Sequence, residues 1–211
     1  MERNRHLTLW LAGIIAVIFL LQVLFPVITA DFVLKSSDVF SRPWILITAI
    51  FLHAGITHLV FNGFALLMFG SILEELIGSR LFAAVFVVAG VVSSVASAFI
   101  YSSVLGASGA IFGILGALTV LRPNMTVWVY YLPMPMYMAA AVWAITDLFG
   151  FIVTTNVANA GHLAGLAAGI VAGFLIRGRK PLFSGRGGFG SRQIITAEEF
   201  DKWEKENMGK K

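Results

Sequence analysis

The sequence predicts an all-α membrane protein, a bundle of six transmembrane helices with both termini cytoplasmic, and three observations carry that expectation. Of its 211 residues 58% are hydrophobic and only 12% are charged, which is too little polar surface to cover a water-soluble domain. The apolar residues gather into six runs, at about 7–28, 56–73, 81–100, 108–121, 127–145 and 161–176. An even number of spans returns the chain to its starting side, and basic residues mark that side as cytoplasmic. Arg3 and Arg5 precede the first run; Arg177, Arg179, Lys180, Arg186 and Arg192 follow the last.

The first run, behind two arginines, is too long for a signal-peptide core and reads as a retained span. A long segment, 29–55, then lies on the outer side. Its Phe32, Val33, Leu34, Phe40 and Trp44 alternate with Asp31, Lys35, Asp38 and Arg42, a mixture suited to the membrane interface. Arg80 and Arg122 fall in cytoplasmic loops. Residues 1–180 form the membrane domain. Residues 181–211 form a glycine-rich linker and a short helix whose start, Thr196-Ala197-Glu198-Glu199, reads as a capping box. The chain has no cysteine, which excludes disulfides and thiolate chemistry. Its net charge of +4 sits at the chain ends, so it reports topology and not nucleic-acid binding.

The fourth run is the informative one. From Ser108 to Leu121 it rises only about 21 Å, against about 30 Å of hydrocarbon. With Arg122 at the cytoplasmic side, Ser108 lies below the opposite surface, reached by a non-helical descent through Ser102, Ser103 and Gly106. Such backbone is tolerated at depth only inside protein or along a water-filled cavity. A serine at a helix N-terminus in a hydrated pocket is a candidate nucleophile, because free N–H groups and the helix dipole favour a developing negative charge. The competing reading of Gly106-Ala107-Ser108-Gly109 is a small-residue packing patch.

The sixth run carries Gly161, Gly165, Gly169 and Gly173 at four-residue spacing, and Gly109 and Gly113 make a shorter version on the fourth. Small-residue faces let backbones approach closely, so these two spans are expected to pair. The pairing brings His162 near Ser108 as a candidate general base. His58 and Asn62, four apart on one face of the second span, are candidate oxyanion donors. Three histidines and an asparagine are also metal-binding residue types. That reading is weaker, since H-E-x-x-H is absent and no carboxylate accompanies the histidines on the outer side of this span. Asp147 stands alone near a span end, whereas an aspartyl mechanism needs two facing aspartates. Glu74-Glu75 suits a salt bridge or a helix-end hydrogen bond. In the fifth span, Pro133 and Pro135 remove two backbone donors near its start, with Met134, Met136 and Met138 as adaptable packing. That span is the candidate movable wall, Phe61 the candidate plug against it, and 149–160 a loop over the site.

With these residues assembled, the chain resembles the rhomboid family of intramembrane serine proteases. The match rests on Gly106-Ala-Ser108-Gly109, His53-x4-His58-x3-Asn62, the Glu74-x3-Gly78 turn and Gly161-His162-Leu-Ala-Gly165, in order. The resemblance implies a Ser108–His162 dyad without a third acidic member, His58 and Asn62 assisting the oxyanion, Phe112 packed on the His162 ring, and a structural His53. It implies cleavage of single-span membrane proteins near the outer face of the bilayer of the cell membrane, with no cofactor, metal or nucleic acid. One departure is that the family's Trp-Arg pair in the first outer loop is Trp44-Ile45 here, with Arg42 two residues earlier.

Overall fold

The computed structural model describes residues 6–129, 131–153 and 157–178; the expected linker and tail helix lie outside them. The described chain is mostly helical. Four helical segments are long and apolar enough to cross a membrane: Leu7–Leu24 (α1), Ile56–Ile77, Ser79–Ala98 (α6) and Asn159–Ile176 (α9). Two shorter apolar helices, Ser108–Leu121 (α7) and Met136–Ile152 (α8), accompany them. The segment Ile56–Ile77 is composite. It runs as α4 (Ile56–Ala65), one π-helical turn (Leu66–Gly70) and α5 (Ser71–Ile77), and the wider turn re-aims the faces on either side of it.

The short helix α7 is the axis of the bundle. It packs on α6, α9, α8 and the π turn, and most of it is buried, from Gly109 to Leu118 with Phe112 the half-buried exception. Between lipid-facing helices there is little hydrophobic drive, so contact depends on how closely backbones approach. Here the glycines set the distance. A methyl group built on Gly165 would lie 2.1 Å from the Gly109 carbonyl oxygen, one on Gly169 1.9 Å from that of Gly113, and one on Gly116 2.2 Å from that of Leu166. The expected pairing of the fourth and sixth runs is therefore backbone on backbone. Helix α6 closes the third side with Ser93 and Ser97, whose hydroxyl oxygens fill the space beside Gly109 and Gly161.

The N-terminus of α1 has no capping side chain of its own. Glu74 of α5 supplies the cap, accepting from the Leu7 and Thr8 backbone N–H groups and from the Thr8 and Ser79 hydroxyls at 2.6–3.0 Å. This is the helix-end hydrogen bond expected of the pair. Gly78, at φ 82°, then turns the chain into α6.

Several boundaries differ from expectation. The fifth run does not begin a helix at 127. Thr126–Val129 (β3) and Leu132–Pro135 (β4) form an antiparallel hairpin, with Trp128 opposite Pro133 and Thr126 opposite Pro135. Two prolines one residue apart lack the donors a helix needs but fit a two-stranded edge, and Pro135, extended at ψ 151°, is the residue from which α8 starts. Pro133, Met134 and Pro135 thus belong to the hairpin, and α8 continues to Ile152, shortening the expected loop. The first span ends at Leu24, before Phe25-Pro26, and a separate short helix, α2 (Val27–Phe32), follows.

The segment 29–55 folds back on the bundle. Leu34–Lys35 (β1) pairs with Ser103–Val104 (β2), and Leu34, Ile45 and Ala49 are buried together, Ile45 opening the short helix α3 (Ile45–Thr48). Phe40 is fully exposed and Trp44 half exposed. Arg42 pairs with Asp38 and donates to the Asp31 carbonyl, so it ties the loop to itself. Hydrogen bonds from Arg42 and then Ser37 hold the Asp38 carboxyl below its ordinary range.

Candidate active site

Ser108 is the first residue of α7, and the chain leading to it is strapped in place. Beyond the β1–β2 pairing, the Gly106 N–H donates to the Ala49 carbonyl at 2.9 Å, and Gly106 stands at φ 130°, a left-handed conformation that other residues resist. A side chain there would also strike the His58 ring, whose Cε1 lies 2.6 Å from the position of its Cβ. The non-helical descent expected before Ser108 is thus a braced loop that seats His58 against the backbone two residues ahead of the serine.

His162, in the first turn of α9, faces this point. Its Nε2 lies 2.8 Å from the Ser108 Oγ, a normal hydrogen-bond distance. Phe112, one turn along α7, stacks on the imidazole with centroids 4.4 Å apart and planes 10° apart, as expected. The first turn of α9 is steadied by the Tyr101 hydroxyl, which accepts from the Ala160 N–H at 3.1 Å.

One expectation needs correcting. Asp147 does not stand alone: its Oδ1 lies 2.9 Å from Nδ1 of His162, and the two side chains are 8% and 13% exposed. The nucleophile candidate, the base candidate and a carboxylate thus lie in one line across α7, α9 and α8. The signal available in the sequence was an acidic residue within an apolar run, fifteen positions before His162 and joined to it by a short connection, as two antiparallel neighbours require.

Ser108, His162, His58 and Asn62 all line one cleft of about 1260 Å³. It runs from Tyr101 and Ser102 at the Ser108 end down to Phe69, Trp143 and Trp128. The Ala54 N–H points to Nδ1 of His58 at 3.4 Å, which leaves Nε2 as the hydrogen-bearing nitrogen, on the Gly106 side. Asn62 is buried, and one of its amide hydrogens goes to the His58 carbonyl at 2.8 Å, which leaves the other for the cleft.

His53 stands behind His58, edge-on to it at 5.1 Å. The residue is 2% exposed, and neither ring nitrogen makes a hydrogen bond of normal geometry. Burial first, then the neighbouring His58, push its pKa down to about 4, against a small opposing effect of the Phe51 backbone. Its backbone is clasped by Gln22 of α1, which accepts from the His53 N–H at 2.9 Å and donates to the His53 carbonyl at 3.2 Å.

Known proteins resemble this chain over most of its described length. A family model described as the Rhomboid domain matches residues 41–179. Over 133 residues the chain is 41% identical to the rhomboid protease GluP of Bacillus subtilis, covering 61% of this chain and 25% of that protein. Over 146 residues it is 35% identical to the mitochondrial RHOMBOID-like protein 6 of Arabidopsis thaliana, covering 64% and 44%. Over 138 residues it is 34% identical to the putative rhomboid protease YdcA of B. subtilis, covering 63% and 66%. The chain spans less than two thirds of the length of each. The matched region takes in both glycine-faced helices, the helix of His58 and Asn62, and the backbone that braces Ser108: this chain belongs to the rhomboid family.

Proposed function

We propose that the chain is an intramembrane serine endopeptidase that cleaves single-span membrane proteins near the extracytoplasmic face of the cell membrane. The 2.8 Å approach of His162 Nε2 to Ser108 Oγ in the wall of a large cleft carries this reading. In it, Ser108 attacks the scissile carbonyl while His162 takes the hydroxyl proton and returns it to the leaving amine. Water then hydrolyses the acyl-enzyme by the same proton route. The Ser108 backbone N–H, His58 and Asn62 donate to the oxyanion. Membership of the rhomboid family, and two relatives named as rhomboid proteases, agree with this chemistry.

The same proposal includes six spans, with α7 and α8 as the two short ones, and both termini cytoplasmic by the distribution of Arg and Lys. It divides the chain into a membrane domain, 1–180, and a cytoplasmic tail, 181–211. The native sequence has no cysteine, so one introduced at Phe40 reports the side directly. Modification by an impermeant thiol reagent outside intact cells is expected.

The activity is tested with a fluorophosphonate and a model transmembrane substrate. The purified protein is expected to be labelled and to cleave. Ser108→Ala and His162→Ala are each expected to abolish cleavage while the protein stays folded. Turnover by Ser108→Ala would remove the serine mechanism, and a folded wild type that neither labels nor cleaves would indicate a non-catalytic membrane scaffold.

A further inference from the structure

Among the described residues, two buried carboxylates occur within helices, and they are used differently. Glu74 accepts four hydrogen bonds from a helix N-terminus and two hydroxyls, which accounts for it as a structural cap. Among the described residues Asp147 has one partner, His162 Nδ1, and its buried Oδ2 has no hydrogen bond. An acidic side chain within a membrane helix is costly and needs a compensating partner. A carboxylate whose one such partner among the described residues is the candidate base is poorly explained by packing.

We propose that Asp147 is a positioning residue acting through His162, so that the site works as a Ser108–His162–Asp147 triad. This rests on the serine-protease reading above. An ionised Asp147 accepts the Nδ1–H of His162, which leaves Nε2 bare and able to take the Ser108 proton. When that proton arrives, the ring becomes an imidazolium held between the Ser108 oxygen and the Asp147 anion. The Nδ1 proton stays on the ring and Asp147 stays ionised. Two contributions follow: a fixed tautomer, and a charge that stabilises the imidazolium in the transition state. The other titratable groups facing His162 across the cleft are His58 and Tyr101, neither of which brings a negative charge at neutral pH.

Asp147→Asn tests this because it keeps shape and an acceptor oxygen but removes the charge. With a transmembrane substrate, kcat is expected to fall roughly 10²–10⁴-fold and KM to stay nearly unchanged. Wild-type kcat in Asp147→Asn would overturn the proposal. That outcome also covers a protonated Asp147 donating to Nδ1, a role the asparagine amide can take over. A second measurement does not depend on that variant folding. In ¹⁵N-histidine spectra of Ser108→Ala at neutral pH, His162 is expected to carry its hydrogen on Nδ1; hydrogen on Nε2 would overturn the proposal. Failure of the wild type to label with a fluorophosphonate would instead count against the serine-protease reading itself.

Discussion

The two sides of the cleft are built on opposite principles. On one side α7 and α9 touch backbone to backbone, with α6 wedged against both, and there is no room for a single added carbon at Gly109, Gly113, Gly165 or Gly169. On the other side α4 and α8 barely meet. Where the second span does meet α8, at the π turn below α4, the contact is side chain on side chain, Phe69 edge-on to Trp143 at 5.9 Å. Ser108 and His162 ride on the tight side, while Asn62, His58 and Asp147 reach in from the loose one. In the proposed reaction the nucleophile and its base must hold a hydrogen-bond distance through every turnover, so they belong where helices are locked. The helical substrate proposed would have to pass between helices, and the loose side is where the walls are held by replaceable contacts.

The sharpest test of that contrast places the same substitution on each side. Gly169→Ala puts a methyl 1.9 Å from a backbone carbonyl that cannot retreat; α9 must leave α7, and loss of the folded protein in detergent is expected. Gly63 on α4 has nothing within 4 Å of its would-be Cβ. Gly63→Ala is expected to raise stability slightly, by about 0.4–1 kcal/mol. Thermal unfolding of both variants checks the pair, and a stable Gly169→Ala protein would break the distinction.

The next largest effect concerns the proposed oxyanion donors, which the loose side carries. Loss of one oxyanion donor costs about 2.7–4 kcal/mol of transition-state stabilisation, so Asn62→Ala and His58→Ala are each expected to slow turnover roughly 10²–10³-fold. The double variant is expected to lose less than the product, because both act on one oxyanion. Melting temperature separates this from misfolding: Asn62→Ala is expected to melt near the wild type while its kcat falls.

These predictions also mark what the sequence could disclose. The tight side was legible because close packing leaves a periodic trace: glycines every four residues on α9 and a matching pair on α7 place His162 beside Ser108 before any coordinates are seen. The fourth run was legible to the residue, since Arg122-Pro123 and the glycine-serine descent end it on both sides. The loose side left no such trace. Asp147 meets His162 across two helices whose boundaries depend on where Pro133 and Pro135 divide strand from helix, and hydropathy does not distinguish an apolar hairpin from an apolar helix. The π turn in the second span follows no composition rule and becomes visible only in the hydrogen bonding. The folding back of 29–55 rests on a two-residue strand pairing, too short to carry a pattern.

A smaller effect is expected at His53, which joins the outer loop to α1 and α4 without lining the cleft. Its pKa is about 4 in the folded protein, against an ordinary value of 6.5. Between those values the unfolded chain binds a proton that the folded one refuses. Stability is therefore full above about pH 6.5 and falls as pH drops towards 4. The melting temperature in detergent is expected to decline by several degrees between pH 7 and pH 5. His53→Ala is expected to melt lower at neutral pH and to lose much of that slope, because its proton uptake is gone. Its kcat on correctly folded protein is expected to match the wild type, in contrast to His58→Ala.

The smallest effect concerns the seam between the second span and α8, and it bears most directly on how a substrate would reach the proposed nucleophile. A transmembrane helix has its carbonyls tied up in hydrogen bonds, so the scissile bond must unwind as it passes into the cleft. The cleft is lined on one side by Phe61, Phe64, Met68 and Phe69 and on the other by Trp143 and Trp128. Phe61 lies 70% exposed at its rim, whereas Phe69 is buried against Trp143; the closing contact therefore lies deeper than Phe61. An aromatic pair contributes about 0.5–1.5 kcal/mol beyond its buried area. If opening this seam limits the rate, Trp143→Ala is expected to speed cleavage of a transmembrane substrate roughly two- to tenfold, with no gain for a small soluble peptide. Phe61→Ala is expected to gain less. The converse experiment exploits the absence of native cysteine: Phe69→Cys and Trp143→Cys together allow a short bifunctional reagent to bridge the seam. Bridging is expected to suppress the transmembrane substrate far more than the peptide, for which the proposed route is the Tyr101–Ser102 end of the cleft. Equal loss for both substrates would mean that the bridge distorts the site. Undiminished cleavage of the transmembrane substrate after complete bridging would mean that the substrate passes elsewhere, and that the looseness of this side serves something other than admission.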